Sequence, residues 1–110
     1  TPKLLETRLG GGDVIVLEFT AEWCLNCKLL ESTVLNDPSV VEAFGADGVS
    51  PIKIDLTGNN VSGNALLNEV GGLTIPLLII LDSNRGEIFR GDFYTIEQVL
   101  HAIDQAKEQD

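Results

Sequence analysis

The apolar residues of this chain fall into short blocks with two different periods. Asp13 to Thr20 (DVIVLEFT), Val49 to Leu56 (VSPIKIDL) and Leu77 to Leu81 (LLIIL) are dense in β-branched and aliphatic side chains, and predict strands. Glu18 is the one discordant residue of the first. Pro51 confines the second to a sheet edge or to its own strand's start, because proline has no N–H to give a ladder. The third is wholly apolar and fits a central strand covered on both faces.

Between the strands the period lengthens to that of helices. A helix is expected from the cysteine pair in TAEWCLNCKLLE (residues 20–31) to about Val34 or Leu35. Asn36-Asp37-Pro38 breaks the chain and restarts it, with Asp37 as N-cap, Pro38 at the first helical position, and Val40, Val41 and Phe44 as the apolar face. Ala65, Leu66 and Val70 mark a further helix that stops at Gly71-Gly72. Asp82-Ser83-Asn84-Arg85-Gly86 is turn chemistry leading into a short strand, Glu87 to Arg90. From about Thr95, the apolar residues Ile96, Val99, Leu100 and Ile103 recur at i, i+3, i+4 and i+7. Residues 3–9 (KLLETRL) predict a short helix ending at Gly10-Gly11-Gly12.

The order is (α)βααβαββα, an α/β sandwich with a mixed sheet of about four strands and helices on both faces. A chain of 110 residues, 44% of them hydrophobic, is expected to form a single domain, residues 1–110, with a core that needs no disulfide staple. The longest apolar run, Ile75 to Leu81, contains Pro76 and falls far short of the ~18 residues of a membrane span. The chain opens on Thr1 and shows no signal peptide, so it is expected to be a processed product or an excised domain. Seven basic against 17 acidic residues give a net charge of −10. That balance argues against nucleic acid and against a basic membrane-surface patch. It is equally what a soluble, self-repelling surface needs.

Cys24 and Cys27 are the only cysteines, two residues apart, and three readings compete for them. Half of a zinc site would need two more ligands, yet there is no second pair and the single His101 lies far along the last helix. A structural staple closing so short a loop restrains little of the unfolded chain. A dithiol that cycles between reduced and oxidised forms fits a CxxC that follows a strand and opens a helix. In that reading the helix start, with its unpaired N–H groups and partial positive charge, stabilises a Cys24 thiolate. Cys24 attacks and Cys27, one turn behind, resolves the mixed disulfide.

WCLNCK after an apolar strand, together with Thr74-Ile75-Pro76, resembles the thioredoxin fold over about Asp13 to Lys107. The resemblance implies that the Ile75–Pro76 bond is cis and that the backbone of Ile75 pairs with a bound partner's chain. An ordinary thioredoxin has Gly-Pro where this chain has Leu25-Asn26. FTAEWCLNCKLLE, LNDPSVVEAF, IDLTGNN and LTIPLLIIL are similar to the C-terminal domain of DsbD-type thiol:disulfide interchange reductases of the bacterial inner membrane. This likeness implies a periplasmic, reductive protein-disulfide oxidoreductase, a monomer. Its partners would be a membrane electron-donor domain and a periplasmic acceptor domain. Its redox centre would be the Cys24–Cys27 disulfide itself, with no metal and no organic cofactor. Two alternatives remain, a cytoplasmic thioredoxin-like reductase and a redox-inactive binding module on the same fold.

Two acids flank the pair. Glu18 is either a strand-end acid reaching solvent or, as the resemblance implies, a buried acid beneath the site, where Asp is commoner. Burial would raise its pKa and let it accept the Cys27 proton. Glu31 lies at i+4 from Cys27 and i+7 from Cys24, on one helix face with both. At an assumed ~8 Å and an effective dielectric of ~20, one ionised carboxylate raises the cost of a Cys24 thiolate by roughly 2 kcal/mol. The helix start lowers it by about 0.3–1 kcal/mol. Cys24 is thus expected to be mostly a protonated thiol at neutral pH. Trp23 is expected either to shield the sulfur as part of a docking surface or to pack in the core. Lys28 reads as a solvated helix residue.

Overall fold

The computed structural model describes residues 13–108, so the helix expected over residues 3–9 lies outside the described residues. β1 (Val14–Thr20) is the spine of a four-stranded mixed sheet of order β2-β1-β3-β4. β2 (Val49–Asp55) runs parallel to it with Val14 opposite Val49 and Thr20 opposite Asp55. β3 (Leu77–Leu81) runs antiparallel on the other side, and β4 (Glu87–Gly91) is antiparallel to β3. Pro51 falls in an edge strand, opposite Val16, as its missing donor requires. All of LLIIL is buried, as its central place demands.

Alternation along β1 sends its side chains to two cores. Ile15, Leu17 and Phe19 pack with Ile54, Leu66 and Leu67 on one face, the last two from α3 (Val61–Glu69). Val14 and Val16 pack on the other face, against α1 (Leu25–Leu30), α2 (Pro38–Phe44) and α4 (Ile96–Glu108). Leu30, Val40, Val99 and Ile103 form that second core. Phe19 and Leu17 have no exposed surface. Each such side chain stabilises the fold by about 1.5–3 kcal/mol.

α2 begins as its sequence signals: the Asp37 side chain accepts the Ser39 N–H at 3.1 Å and Pro38 follows it. α4 begins where its apolar spacing does. Two helices differ from expectation. α1 is α-helical only to Leu30, and Glu31–Leu35 continue as a π-helical turn in which the Asn36 N–H reaches back to Glu31 O. The Ser32 and Thr33 hydroxyls both donate to Leu29 O, at 3.1 and 2.8 Å. They compete there with the helix's own N–H groups and widen the turn. α3 starts at Val61, earlier than Ala65, because Asn60 caps it. Asn60 Oδ1 accepts the Gly63 N–H at 2.9 Å and Nδ2 donates to Asp55 O at 2.8 Å, tying the helix to the end of β2. α3 stops at Gly71, whose φ of +79° reverses the chain, as the Gly71-Gly72 signal implies.

Candidate functional site

The site grows from the C-terminal end of β1. After Thr20 the chain turns tightly, with the Cys24 N–H on Ala21 O at 3.2 Å, and α1 begins. Cys24 is its N-cap, in extended conformation, and its Sγ accepts the Cys27 N–H at 3.2 Å. The first N–H groups of a helix have no partner within it, and here the sulfur supplies one. Cys24 and Cys27 are joined as a disulfide, with their Cα atoms 5.2 Å apart. Both sulfurs sit among Phe19, Ala21, Ile54 and Leu56. Both cysteines are buried, and Cys24 keeps the larger open share of its residue surface, 7% against 2% for Cys27.

The Ile75–Pro76 peptide bond is cis, as the resemblance implied. Trp23, Leu56, Leu67, Leu73, Thr74 and Ile75 line an open hollow of about 550 Å³. Trp23 is 67% exposed and Leu73 93% exposed, so Trp23 is a surface ring and not a core residue.

The two acids come together. Glu18 points from β1 toward α1, and its carboxyl hydrogen-bonds that of Glu31. Burial, then the Glu31 hydrogen bond and charge, push Glu18 from an ordinary 4.5 up to about 7. Burial also pushes Glu31 up. The Thr20 hydroxyl, the Glu18 carboxyl and the Lys53 and Lys28 ammonium groups outweigh it, and Glu31 lies below the ordinary carboxylate range. Thr20 Oγ1 donates to Glu31 Oε2 at 2.8 Å. Lys28 Nζ stands 3.6 Å from Oε1, and Lys53 Nζ 3.8 Å from Oε2. Of the two, Glu18 is the one that holds a proton more readily and Glu31 the one more readily ionised.

Sequence reasoning missed three members of this cluster. Lys53 is the register partner of Glu18 across β1 and β2, a charge set between Ile52 and Ile54. Thr20 closes β1. Tyr94 is buried, and burial, followed by the Glu18 and Glu31 charges, pushes its hydroxyl above the usual range. Lys28, read as a solvated helix residue, is at the surface but paired with Glu22 at 2.8 Å as well as with Glu31. His101 is exposed on α4. Among the described residues no group of three or more His, Cys, Asp or Glu comes together as a metal site.

Comparison with known proteins agrees with this geometry. The thioredoxin-like family model matches residues 11–83. The thiol:disulfide interchange protein DsbD of Salmonella choleraesuis is 34% identical over 76 residues, which are 69% of this chain and 13% of that protein. The chain thus spans a small fraction of the length of the curated relatives it matches. The reduced C-terminal domain of Neisseria meningitidis DsbD superposes with a TM-score of 0.69 at 27% identity, over 94% of this chain and 87% of that one. Its oxidised form gives 0.69 at 28% identity, over 86% and 81%. A cysteine pair at disulfide distance on a helix start is suited to thiol–disulfide exchange, and these likenesses point to the same chemistry. With its family model, its CxxC at the start of α1 and its cis Ile75–Pro76 bond, this chain belongs to the thioredoxin-like family.

Proposed function

We propose that the domain is the reductive, C-terminal-type module of a DsbD-like thiol:disulfide interchange protein, acting on the periplasmic side of a bacterial inner membrane. The observation that carries the exchange chemistry is the Cys24 sulfur at the N-cap of α1, joined to Cys27 and accepting its N–H. The likeness to DsbD C-terminal domains supports the direction and the address. Among the described residues no helix is long and apolar enough to cross a membrane. In this reading residues 1–110 are a single domain. It receives two electrons from a membrane donor domain and passes them to a periplasmic acceptor domain.

The reaction runs through one mixed disulfide. The Cys24 thiolate attacks a sulfur of the partner's disulfide; a Cys24–partner S–S bond forms and the partner's other sulfur leaves as thiolate. The Cys27 thiolate then attacks Cys24 Sγ. The partner's second sulfur departs with the electron pair, and the Cys24–Cys27 disulfide is left behind. Two electrons have passed to the partner. Glu18 takes the Cys27 proton, directly or through water; a carboxyl titrating at about 7 both holds and gives up a proton near neutrality. Glu31, ionised on the same helix face, opposes the thiolate and holds Cys24 as a thiol until a partner docks against Trp23 and the Ile75–Pro76 segment.

Insulin reduction with a dithiol donor tests the chemistry, with Cys24→Ser as control. Turnover by the wild-type chain and none by the variant is expected. No turnover by either leaves only a binding module. Equilibration with a glutathione buffer tests the direction: a strongly oxidising potential would overturn the reductive assignment.

A further inference from the structure

The edge strand β4 breaks the alternation expected of a strand. Residues three apart in a regular strand point to opposite faces. Here the pairing with β3 slips: Phe89 lies opposite Ile80 and Glu87 opposite Leu81, which leaves Ile88 as an extra residue, a β-bulge. Ile88 and Phe89, though adjacent in sequence, both pack against the core beneath α4. Glu87 and Arg90 are thereby free to meet. Arg90 Nε donates to Glu87 Oε2 at 3.0 Å and Nη2 donates to Oε1 at 2.8 Å, a two-bond fork.

The same Nη2 donates to the carbonyl oxygen of Val70 at 2.6 Å. Val70 closes α3, and the last carbonyls of a helix have no partner within it. Earlier carbonyls are satisfied locally: the Gly72 N–H donates to Leu67 O and the Gly71 N–H to Asn68 O. Val70 O is instead held from the sheet. Immediately after it the chain reverses at Gly71 and becomes the segment Leu73-Thr74-Ile75-Pro76. Thr74, Pro76 and Arg90 border one hollow. The far end of the segment runs directly into β3 at Leu77, and its near end follows Val70, whose carbonyl Arg90 holds.

We infer that Arg90, oriented by Glu87 on the β4 bulge, is a positioning residue for the loop that meets a partner: it anchors the Val70 carbonyl and so sets where Leu73, Thr74 and Ile75 stand. Its consequence for rate rests on the exchange function proposed above, while its consequence for the loop does not. Arg90 touches neither sulfur. Its loss should therefore be felt by a partner with a chain to lay along the loop, and not by a small disulfide.

The test compares wild type, Arg90→Gln, Arg90→Lys and Glu87→Gln, each in the reduced form, on insulin and on oxidised glutathione. Arg90→Gln should lower kcat/KM for insulin about fivefold, the worth of one partly exposed hydrogen bond, chiefly through KM. Its rate with glutathione should stay within about twofold of wild type. Arg90→Lys, which can reach the carbonyl but cannot also make the fork, should recover part of the loss. Glu87→Gln should show a smaller loss of the same sign. Amide exchange at residues 71–75 should quicken about fivefold in Arg90→Gln, with β1 and α1 unchanged. Unchanged insulin kinetics, or an equal fall on both substrates with loosening across the sheet, would overturn the positioning role. If wild type reduced neither disulfide, the proposed function would fall and the exchange measurement alone would decide. Unaltered protection of residues 71–75 in Arg90→Gln would then overturn the inference too.

Discussion

Glu18 and Glu31 meet as a pair of carboxyl groups, Glu18 pushed up to about 7 and Glu31 held below its ordinary value. Like charges that close cannot both ionise cheaply, so the less solvated member keeps its proton. This gives stability a definite pH dependence. The folded Glu18 titrates at about 7 against an ordinary 4.5. The unfolded chain therefore loses this proton first as pH rises. The contribution is fully present below about 4.5, falls as pH rises through 7, and is flat above. Glu18→Gln should be more stable than wild type at pH 8 by about 1–2 kcal/mol, a value discounted for partial solvent access. The gain should shrink toward pH 5. Urea unfolding at both pH values checks it; the same difference at each would mean that Glu18 holds no proton.

The role proposed for Glu31 is electrostatic. Glu31 follows Cys27 by four residues, and in that proposal its negative charge opposes a thiolate at Cys24. Lys28 and Lys53 offset part of that charge from the solvent side. Glu31→Gln should lower the Cys24 pKa and raise the thiolate fraction at neutral pH. Titration of thiolate ultraviolet absorbance in the reduced protein measures it. An unmoved midpoint would reduce Glu31 to a structural partner of Thr20 and Glu18.

The sequence spoke most clearly where a signal is local. LLIIL is buried and central because nothing polar interrupts it. Asp37-Pro38 starts a helix because cap and first-position proline act on their own neighbours. The apolar residues of α4 fix its face in the same way. The cis Ile75–Pro76 bond was legible through family resemblance. What stayed hidden depends on contacts between distant segments. Lys53 stands beside Glu18 only through the parallel register of β1 and β2. The contact between Glu18 and Glu31 needs α1 to be laid across the sheet. The cap of α3 was not read from the sequence: Asn60 is fixed in that place by its bond to Asp55 O at the end of β2, a contact between separate elements. The π-helical turn follows from two hydroxyls competing for one carbonyl, a balance that periodicity does not register.

The proposed order of attack assigns the two sulfurs different fates on mutation. Cys24, at the helix start, is the less buried of the two residues. Cys27→Ser should keep first-step reactivity and lose release, since nothing is left to attack Cys24 Sγ. A reduced Cys27→Ser protein mixed with a disulfide-bonded protein substrate should accumulate one covalent adduct. That adduct should be visible by mass under non-reducing conditions and dispersed by dithiothreitol. Cys24→Ser should form none. An adduct on Cys27 in the Cys24→Ser protein would reverse the order of attack.

Asn60 joins the two layers that carry the site. Its Oδ1 serves the first turn of α3 and its Nδ2 holds the last carbonyl of β2, and α3 supplies Leu67 to the lining of the hollow that Trp23 also lines. Gly63 lets the helix approach this closely: a Cβ there would lie 2.9 Å from Ile54 Cγ2. Replacing the cap by alanine leaves the Gly63 N–H and Asp55 O to water. Asn60→Ala should cost about 1 kcal/mol for the cap alone, and up to ~2 kcal/mol with the Asp55 bond. Asn60→Asp keeps the acceptor and loses the donor, so it should cost less. Urea midpoints of the three proteins at constant m-value separate the two bonds. Equal loss in both variants would mean that the Asp55 carbonyl, rather than the helix start, is what Asn60 is there to hold.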